Sequence, residues 1–221
     1  MMTVLTIGHE KGGVGKSRLA TQLAVLATCN GVDTILLDTD VQGTATEWCQ
    51  IRKSEGIDPP VSVLSISRNP EHEIQDLSKR YALIVIDVGA QDYETFLKCA
   101  VVSDLVLVPL GPDQGELSST MKVFRELRSK DRFHPKGRID AHALLLKVSH
   151  LPSHRFTQEL RDVLEGQGIH VMNTHIPSRE AWKAAGRAGR ALHELRGGDQ
   201  SPKATLELQD LYDEILALVN Q

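Results

Sequence analysis

Seven short runs rich in β-branched and aliphatic residues recur along the chain, separated by longer stretches of helical periodicity, and that alternation admits few architectures. The runs are Thr3–Gly8, Thr34–Asp38, Val61–Ile66, Ala82–Asp87, Asp104–Pro109, Ala141–Val148 and His170–Asn173. Several are apolar at consecutive rather than alternate positions, as strands covered on both faces must be. Strand following helix following strand is the pattern of an α/β fold, a mostly parallel twisted sheet with helices on both faces. Lys16–Asn30 places Leu19, Leu23 and Leu26 on one helical face, with Gly31 as its stop. Further helices are expected from Asn69-Pro70 to Arg80, over Leu117–Lys130, Ser153–Gln167 and Ser178–Leu195, and from Pro202 almost to Gln221. No repeat, low-complexity tract or long linker interrupts the 221 residues, so 1–221 reads as a single domain. Its softest segments are expected at Ser54–Pro60, Ser129–Gly137 and Arg196–Ser201.

Composition narrows the function classes. A net charge of −4 excludes a uniformly basic nucleic-acid binder, and 41 % hydrophobic residues exclude a disordered chain. Cys29, Cys49 and Cys99 are odd in number and contain no Cys-x-x-Cys, so they read as reduced thiols rather than a zinc site or disulfide framework. Apolar runs such as Leu105–Leu110 fall far short of the roughly 18 residues that a membrane span needs. Met1–Gly8 lacks the basic lead of a signal peptide. A cytoplasmic location is the expectation.

The most informative stretch for chemistry is Lys11-Gly-Gly-Val-Gly-Lys-Ser17, which stands between the first strand and the first helix. Gly12, Gly13 and Gly15 let the backbone turn successive N–H groups toward an anion, and the helix that starts near Lys16 adds its positive end. Lys16 would reach the β- and γ-phosphates of a nucleotide, and the Ser17 hydroxyl would ligate Mg²⁺. The usual leading glycine of such a loop is replaced by Glu10, and a lysine, Lys11, heads it instead, which is the deviant form K-G-G-x-G-K-[ST]. Two more acidic sites fall at strand ends, where α/β sheets bind their ligands: Asp38 and Asp40 after the second run, Asp87 after the fourth. Mg²⁺ keeps several waters, so one hydroxyl with carboxylates behind it suits this ion.

With these motifs the chain resembles the ParA/MinD branch of P-loop ATPases, and is most similar to the short, ParF-type ParA proteins of DNA segregation, which lack an amino-terminal helix-turn-helix domain. The likeness rests on Lys11–Ser17, Asp38-Thr-Asp-Val-Gln-Gly43 with Trp48, Ile84–Gly89, Ser103–Pro109 and Ile176-Pro-Ser-Arg-Glu-Ala-Trp182. It implies that Lys11 is a signature lysine reaching the nucleotide of a second subunit, so that two ATP molecules lie between two chains. Lys11, Lys16 and Asp40 would be the catalytic residues, Asp40 positioning the attacking water. Lys11, Gly12, Gly13, Val14, Gly15, Lys16, Ser17 and Arg18 would hold ATP or ADP, with Lys147 and Pro177 near the base. Ser17, Asp38 and Asp87 would serve Mg²⁺. The chain departs from the branch at Val41, where proline is usual, at Val88, and at His9 and Glu10 before the loop.

Two basic stretches suggest what the nucleotide controls. Lys122–Arg138 holds seven basic residues against two acidic ones; Arg179–Lys203 holds six against three. Arg179 opens the second stretch, and in it Lys183, Arg187 and Arg190 are spaced four and three apart, as on one helical face. Such patches suit sequence-independent contact with DNA phosphates. The tail helix carries Glu207, Asp210, Asp213 and Glu214 without lysine or arginine over Leu206–Asn220, unlike a basic membrane anchor, so no membrane partner is expected. Its Leu208, Leu211, Ile215, Leu216 and Val219 are expected to pack on the domain.

The reading is thus an ATPase of plasmid or chromosome partition, nucleoid-associated, whose ATP-bound homodimer grips DNA non-specifically. A small centromere-binding, ParB/ParG-like partner would stimulate slow hydrolysis. The alternatives are a ParA-like ATPase that positions a protein cargo and, less favoured, a P-loop ligase or synthetase.

Overall fold

Consecutive apolar residues do form strands buried on both faces. The computed structural model describes residues 3–66, 69–112, 114–148 and 154–220. It contains β1 (Thr3–Ile7), α1 (Lys16–Cys29), β2 (Thr34–Asp38), α2 (Thr44–Ser54), β3 (Ser62–Ser65), α3 (Pro70–Leu77), β4 (Leu83–Asp87) and α4 (Tyr93–Val101). Then follow β5 (Leu105–Leu110), α5 (Gln114–Lys130), β6 (Ala141–Val148), α6 (His154–Gly166), β7 (His170–Val171), β8 (Ile176–Pro177), α7 (Glu180–Ala188) and α8 (Pro202–Val219). The strands form one sheet in the order β3-β2-β4-β1-β5-β6-β7, with β8 also on β6, and every pair is parallel.

Alternate residues of each strand feed opposite layers. Leu5, Ile7, Leu36, Val85, Leu107 and Leu144 pack with α1, α2, α7 and α8, whereas Val4, Leu37, Ile86, Val108 and Leu145 pack with α3, α4, α5 and α6. The tail helix lies in the first layer through Leu208, Leu211 and Ile215; Val219 is partly buried there, and Leu216 faces outward at 39 % exposure. Two of its acids hold the domain as well: Glu214 accepts the backbone N–H groups of Asn173 and Thr174, and Glu207 pairs with Arg179.

The elements differ from expectation chiefly among the helices, and the two-residue strand β8 was not expected. Two helices, α2 and α4, have no counterpart among the expected ones. The expected helix Ser178–Leu195 is shorter, ending at Ala188, because Gly189 takes a left-handed φ of 60° and turns the chain into a 3₁₀ turn at Leu192–Glu194. Arg190 therefore does not share a helical face with Lys183 and Arg187. The expected start of α6, Ser153, lies outside the described residues.

Candidate functional site

β2, β4 and β1 lie side by side and end on one rung, with Asp38 opposite Asp87 and Asp87 opposite Ile7. From here β1 connects toward β2 on one side, while β4 connects past β1 to β5 on the other. That divergence opens a crevice beyond the strand ends, the usual ligand position of such sheets.

The glycine-rich loop fills this crevice. Gly15 stands immediately before α1 with φ 112°, a conformation that side chains with a Cβ resist, and its residue delivers the chain into the helix with its first N–H groups pointing at the loop. Lys16 is 6 % exposed and its ammonium donates to the Lys11 carbonyl at 3.0 Å. Burial lowers the Lys16 pKa, and the Asp87 and Asp40 carboxylates oppose that shift. The Lys147 ammonium donates to the Gly13 carbonyl from across the loop, Lys147 itself holding a left-handed φ of 56°. Lys11 is half-buried, and its side chain makes no hydrogen bond or ion pair among the described residues.

Three carboxylates meet the loop in different states. Asp87 is 1 % exposed, and neither of its oxygens completes a hydrogen bond of proper geometry among the described residues. Burial pushes its carboxyl up to about 7, although the nearby Ser17 hydroxyl and Lys16 favour the charged form. An orphaned buried carboxylate beside a hydroxyl and an ammonium is a fit environment for a hard divalent cation with water in its shell. Asp38, by contrast, is engaged: one oxygen accepts the Asp40 N–H at 3.1 Å, and the other accepts both the N–H and the hydroxyl of Thr46 at 2.8 Å. It thereby fastens the first turn of α2 to the end of β2. Asp40 is half-buried and accepts the Gln42 N–H at 3.0 Å. Gly89 is what permits its approach to β4, since a Cβ there would lie 3.0 Å from the Asp40 Cα.

Beside the loop is a cavity of about 260 Å³. Val14, Gly15 and Arg18 form one wall, Leu146 and Lys147 another, and Ile176, Pro177 and Trp182 a third. Apolar walls with a few polar groups at the rim suit a flat heterocycle. Arg179 and Lys183 also line it.

Residues 5–192 match the model of the CobQ/CobB/MinD/ParA nucleotide binding domain. The chain belongs to this family. Protein ParA of Rhizobium radiobacter is 21 % identical over 210 residues, covering 93 % of this chain and 92 % of that one. Apo McdA of Cyanothece superposes with TM-score 0.75 at 14 % identity, over 97 % of this chain and 100 % of that one. Cobyrinic acid a,c-diamide synthase of Mycobacterium smegmatis, solved with an ATP analogue and magnesium, gives TM-score 0.69 at 16 % identity, over 98 % and 94 %. At these identities the solved structures show the fold, which is the Rossmann-like P-loop architecture of the MinD/ParA proteins.

In this family member the structure brings Lys11 through Arg18, Asp40 and Asp87 to the crevice, and gathers Lys147 and Pro177 at the cavity beside it. It separates the four arginine and lysine residues read as one DNA-facing set. Arg179 is bound in a two-pronged ion pair by Glu207 and faces the cavity. Lys183 pairs at the surface with Glu180 at 2.8 Å, Arg187 is exposed, and Arg190 is half-buried beyond the helix end. Sequence reasoning passed over Thr46, Gly89 and the cavity role of Ile176 and Trp182. Thr46 carries a local signal, a threonine in the first helical turn eight residues after the aspartate it serves. Nothing local marks Gly89 as Asp40's neighbour. No helix among the described residues is long and apolar enough to cross a membrane.

Proposed function

We propose that this family member is a ParA-type, Mg²⁺-dependent ATPase, one domain over 1–221, whose ATP-bound homodimer binds DNA without sequence preference and partitions plasmid or chromosomal DNA. The observation that carries the reading is the loop itself: a lysine-headed glycine cradle at a sheet switch point, with the buried Asp87, whose oxygens complete no hydrogen bond among the described residues, behind it. The backbone of Gly12–Gly15 and the start of α1 would cradle the phosphates, with Lys16 leaving the Lys11 carbonyl for the β- and γ-phosphates. Arg18, Lys147 and Pro177 would border the base in the cavity. Ser17 would hold Mg²⁺, with Asp87 and Asp38 behind it through water; the ion supplies charge neutralisation between the terminal phosphates. Asp40 would orient the attacking water, and Lys11, whose side chain has no partner among the described residues, would cross to the nucleotide of a second copy.

Lys183 and Arg187 on α7 support the DNA-binding part, together with the exposed Arg125 and Arg132 of the other basic stretch. The Lys183–Glu180 pair is exposed on both sides and holds Lys183 weakly. Arg179 and Arg190 contribute less, one neutralised by Glu207 and the other half-buried. A small centromere-binding, ParB/ParG-like partner would accelerate hydrolysis and release the dimer from the nucleoid.

The test is binding of labelled random duplex DNA. With ATP and Mg²⁺ affinity should be at least tenfold higher than with ADP, fall steeply with salt, and vanish in Lys16→Ala. Equal affinity with the two nucleotides would remove the DNA switch. Phosphate release that depends on an added small carboxylic acid or amine would point to a synthetase instead.

A further inference from the structure

Both residues between Gly8 and Lys11 are fastened to α5, and neither attachment is needed to build a phosphate cradle. The His9 ring is 2 % exposed, and its Nε2 stands 3.0 Å from the Thr120 Oγ1. Its Nδ1 accepts the Lys11 backbone N–H at 2.9 Å. Because Nδ1 is an acceptor, the proton of the neutral ring sits on Nε2, and His9 is the donor to Thr120. The Thr120 hydroxyl passes its own proton to the Glu116 carbonyl, 2.8 Å away and one turn earlier on α5. Every donor in the series Lys11 N–H, His9, Thr120, Glu116 carbonyl therefore points the same way, an arrangement in which each bond polarises the next. Glu10 adds a second tie at the surface, its carboxylate 2.6 Å from the Lys122 ammonium, which also lies over the Tyr93 ring. The relay ends at the backbone of the one loop residue, Lys11, whose cationic side chain has no partner among the described residues.

We infer that His9 is a positioning residue for Lys11: it joins the head of the phosphate loop to α5, so that the Lys11 ammonium is presented outward to a second copy of the chain. This rests on the reading of Lys11 as the lysine that crosses between subunits. The cradle proper, Gly12 to Ser17, lies on the far side of Lys11 from the relay. Loss of the relay loosens the crossing lysine and leaves the phosphate contacts of the same chain in place. Burial holds the ring neutral, as the relay requires.

The experiment compares parent, Thr120→Val, His9→Ala and His9→Asn in two measurements with a non-hydrolysable ATP analogue and Mg²⁺: nucleotide affinity at protein concentrations that keep the chain monomeric, and dimerisation by sedimentation velocity. Thr120→Val keeps shape and removes the link from His9 to α5, together with the hydroxyl's own bond to the Glu116 carbonyl. It should leave nucleotide affinity within about twofold and weaken dimerisation about tenfold. His9→Ala should weaken dimerisation further, and His9→Asn, whose side-chain oxygen restores an acceptor for the Lys11 N–H, should recover part of that loss. Dimerisation unchanged in Thr120→Val and His9→Ala would overturn the inference. So would nucleotide affinity falling in step with dimerisation, the mark of a structural role alone. A parent that binds nucleotide yet never dimerises would instead defeat the crossing-lysine reading.

Discussion

His9 is also the residue at which pH should act on stability. Burial lowers its pKa from 6.5 to about 4; the neighbouring Lys16 and Lys11 push in the same direction, and Glu10 opposes them. On α5 its hydrogen-bond partner is the neutral Thr120 hydroxyl. The unfolded chain takes up a proton at this position below pH 6.5, whereas the folded chain does not until about pH 4. Stability is therefore lost as pH falls through that window, by about 3 kcal/mol at its lower end. Other groups titrate there too, Asp87 with the opposite sign, so the measurement is the stability difference between parent and His9→Asn from urea unfolding at pH 7, 5.5 and 4.5. The parent should lose ground to the variant steadily as pH falls; a constant difference would show that the ring takes up its proton equally in the folded and the unfolded chain. At this scale the sequence was readable where function is local. Lys11 to Ser17 stand out because the turn from β1 into α1, and the phosphate cradle proposed for it, need neighbouring residues at fixed spacing. His9 stood out only as a departure from the family, since its meaning lies in Thr120, 111 residues away.

At the scale of elements, strands were readable because double-sided burial demands unbroken apolar runs, and seven of them fall within a residue or two of the structure. α2 escaped because its inner face, Ala45, Trp48, Cys49 and Arg52, ends on a charged residue. Arg52 is tolerated in the core because Glu194 meets it with both oxygens, at 2.7 and 2.8 Å, and because the Pro59 and Gly189 carbonyls accept two more of its N–H groups. Pro59 lies seven residues on, but Gly189 and Glu194 are 137 and 142 residues away from the helix position they complete. α4 did carry a legible start, Asp92 accepting the Thr95 N–H and hydroxyl at 3.0 and 2.6 Å, but it is short and its apolar face is brief. β8, two residues long, offers no period to read. The end of α7 is decided by contact as well as by conformation: at Gly189 a Cβ would lie 2.6 Å from the Arg52 backbone N. Gly189→Ala should thus cost both the left-handed backbone and an overpacked helix contact, about 2–4 kcal/mol together. Gly137→Ala, with φ 72° and open space around it, isolates the backbone part at about 1 kcal/mol. Thermal unfolding of the two variants checks this, and equal losses would mean that α7 shifts away from α2 without cost.

Across the whole molecule the end of β2, α2 and α7 form one continuous series in a single layer. Asp38 holds Thr46 at the start of α2, the Trp48 indole N–H donates to the Ala185 carbonyl of α7 at 3.1 Å, and Arg52 reaches the Gly189 carbonyl at 3.2 Å. The strand ends at the crevice and the basic residues Lys183 and Arg187 are thereby built on shared supports, and on the function proposed above this would let a DNA grip depend on the occupant of the loop. Such a grip is useful only if it is released, and release requires a step that occupancy alone does not supply. On the proposed reading Asp40 serves that step: it lies at the rim of the crevice, held by the Gln42 N–H and by the close passage of Gly89, and outside the loop that would retain the phosphates. Removing its carboxylate should separate holding from turnover. Asp40→Ala is expected to bind ATP, dimerise and shift random duplex DNA as the parent does, while phosphate release falls about 100-fold or more, the range typical of losing a group that positions or activates the attacking water. Phosphate-release kinetics alongside gel shifts measure the two properties on one preparation. Undiminished release would take Asp40 out of the reaction, and a parallel loss of DNA binding would make it part of the grip.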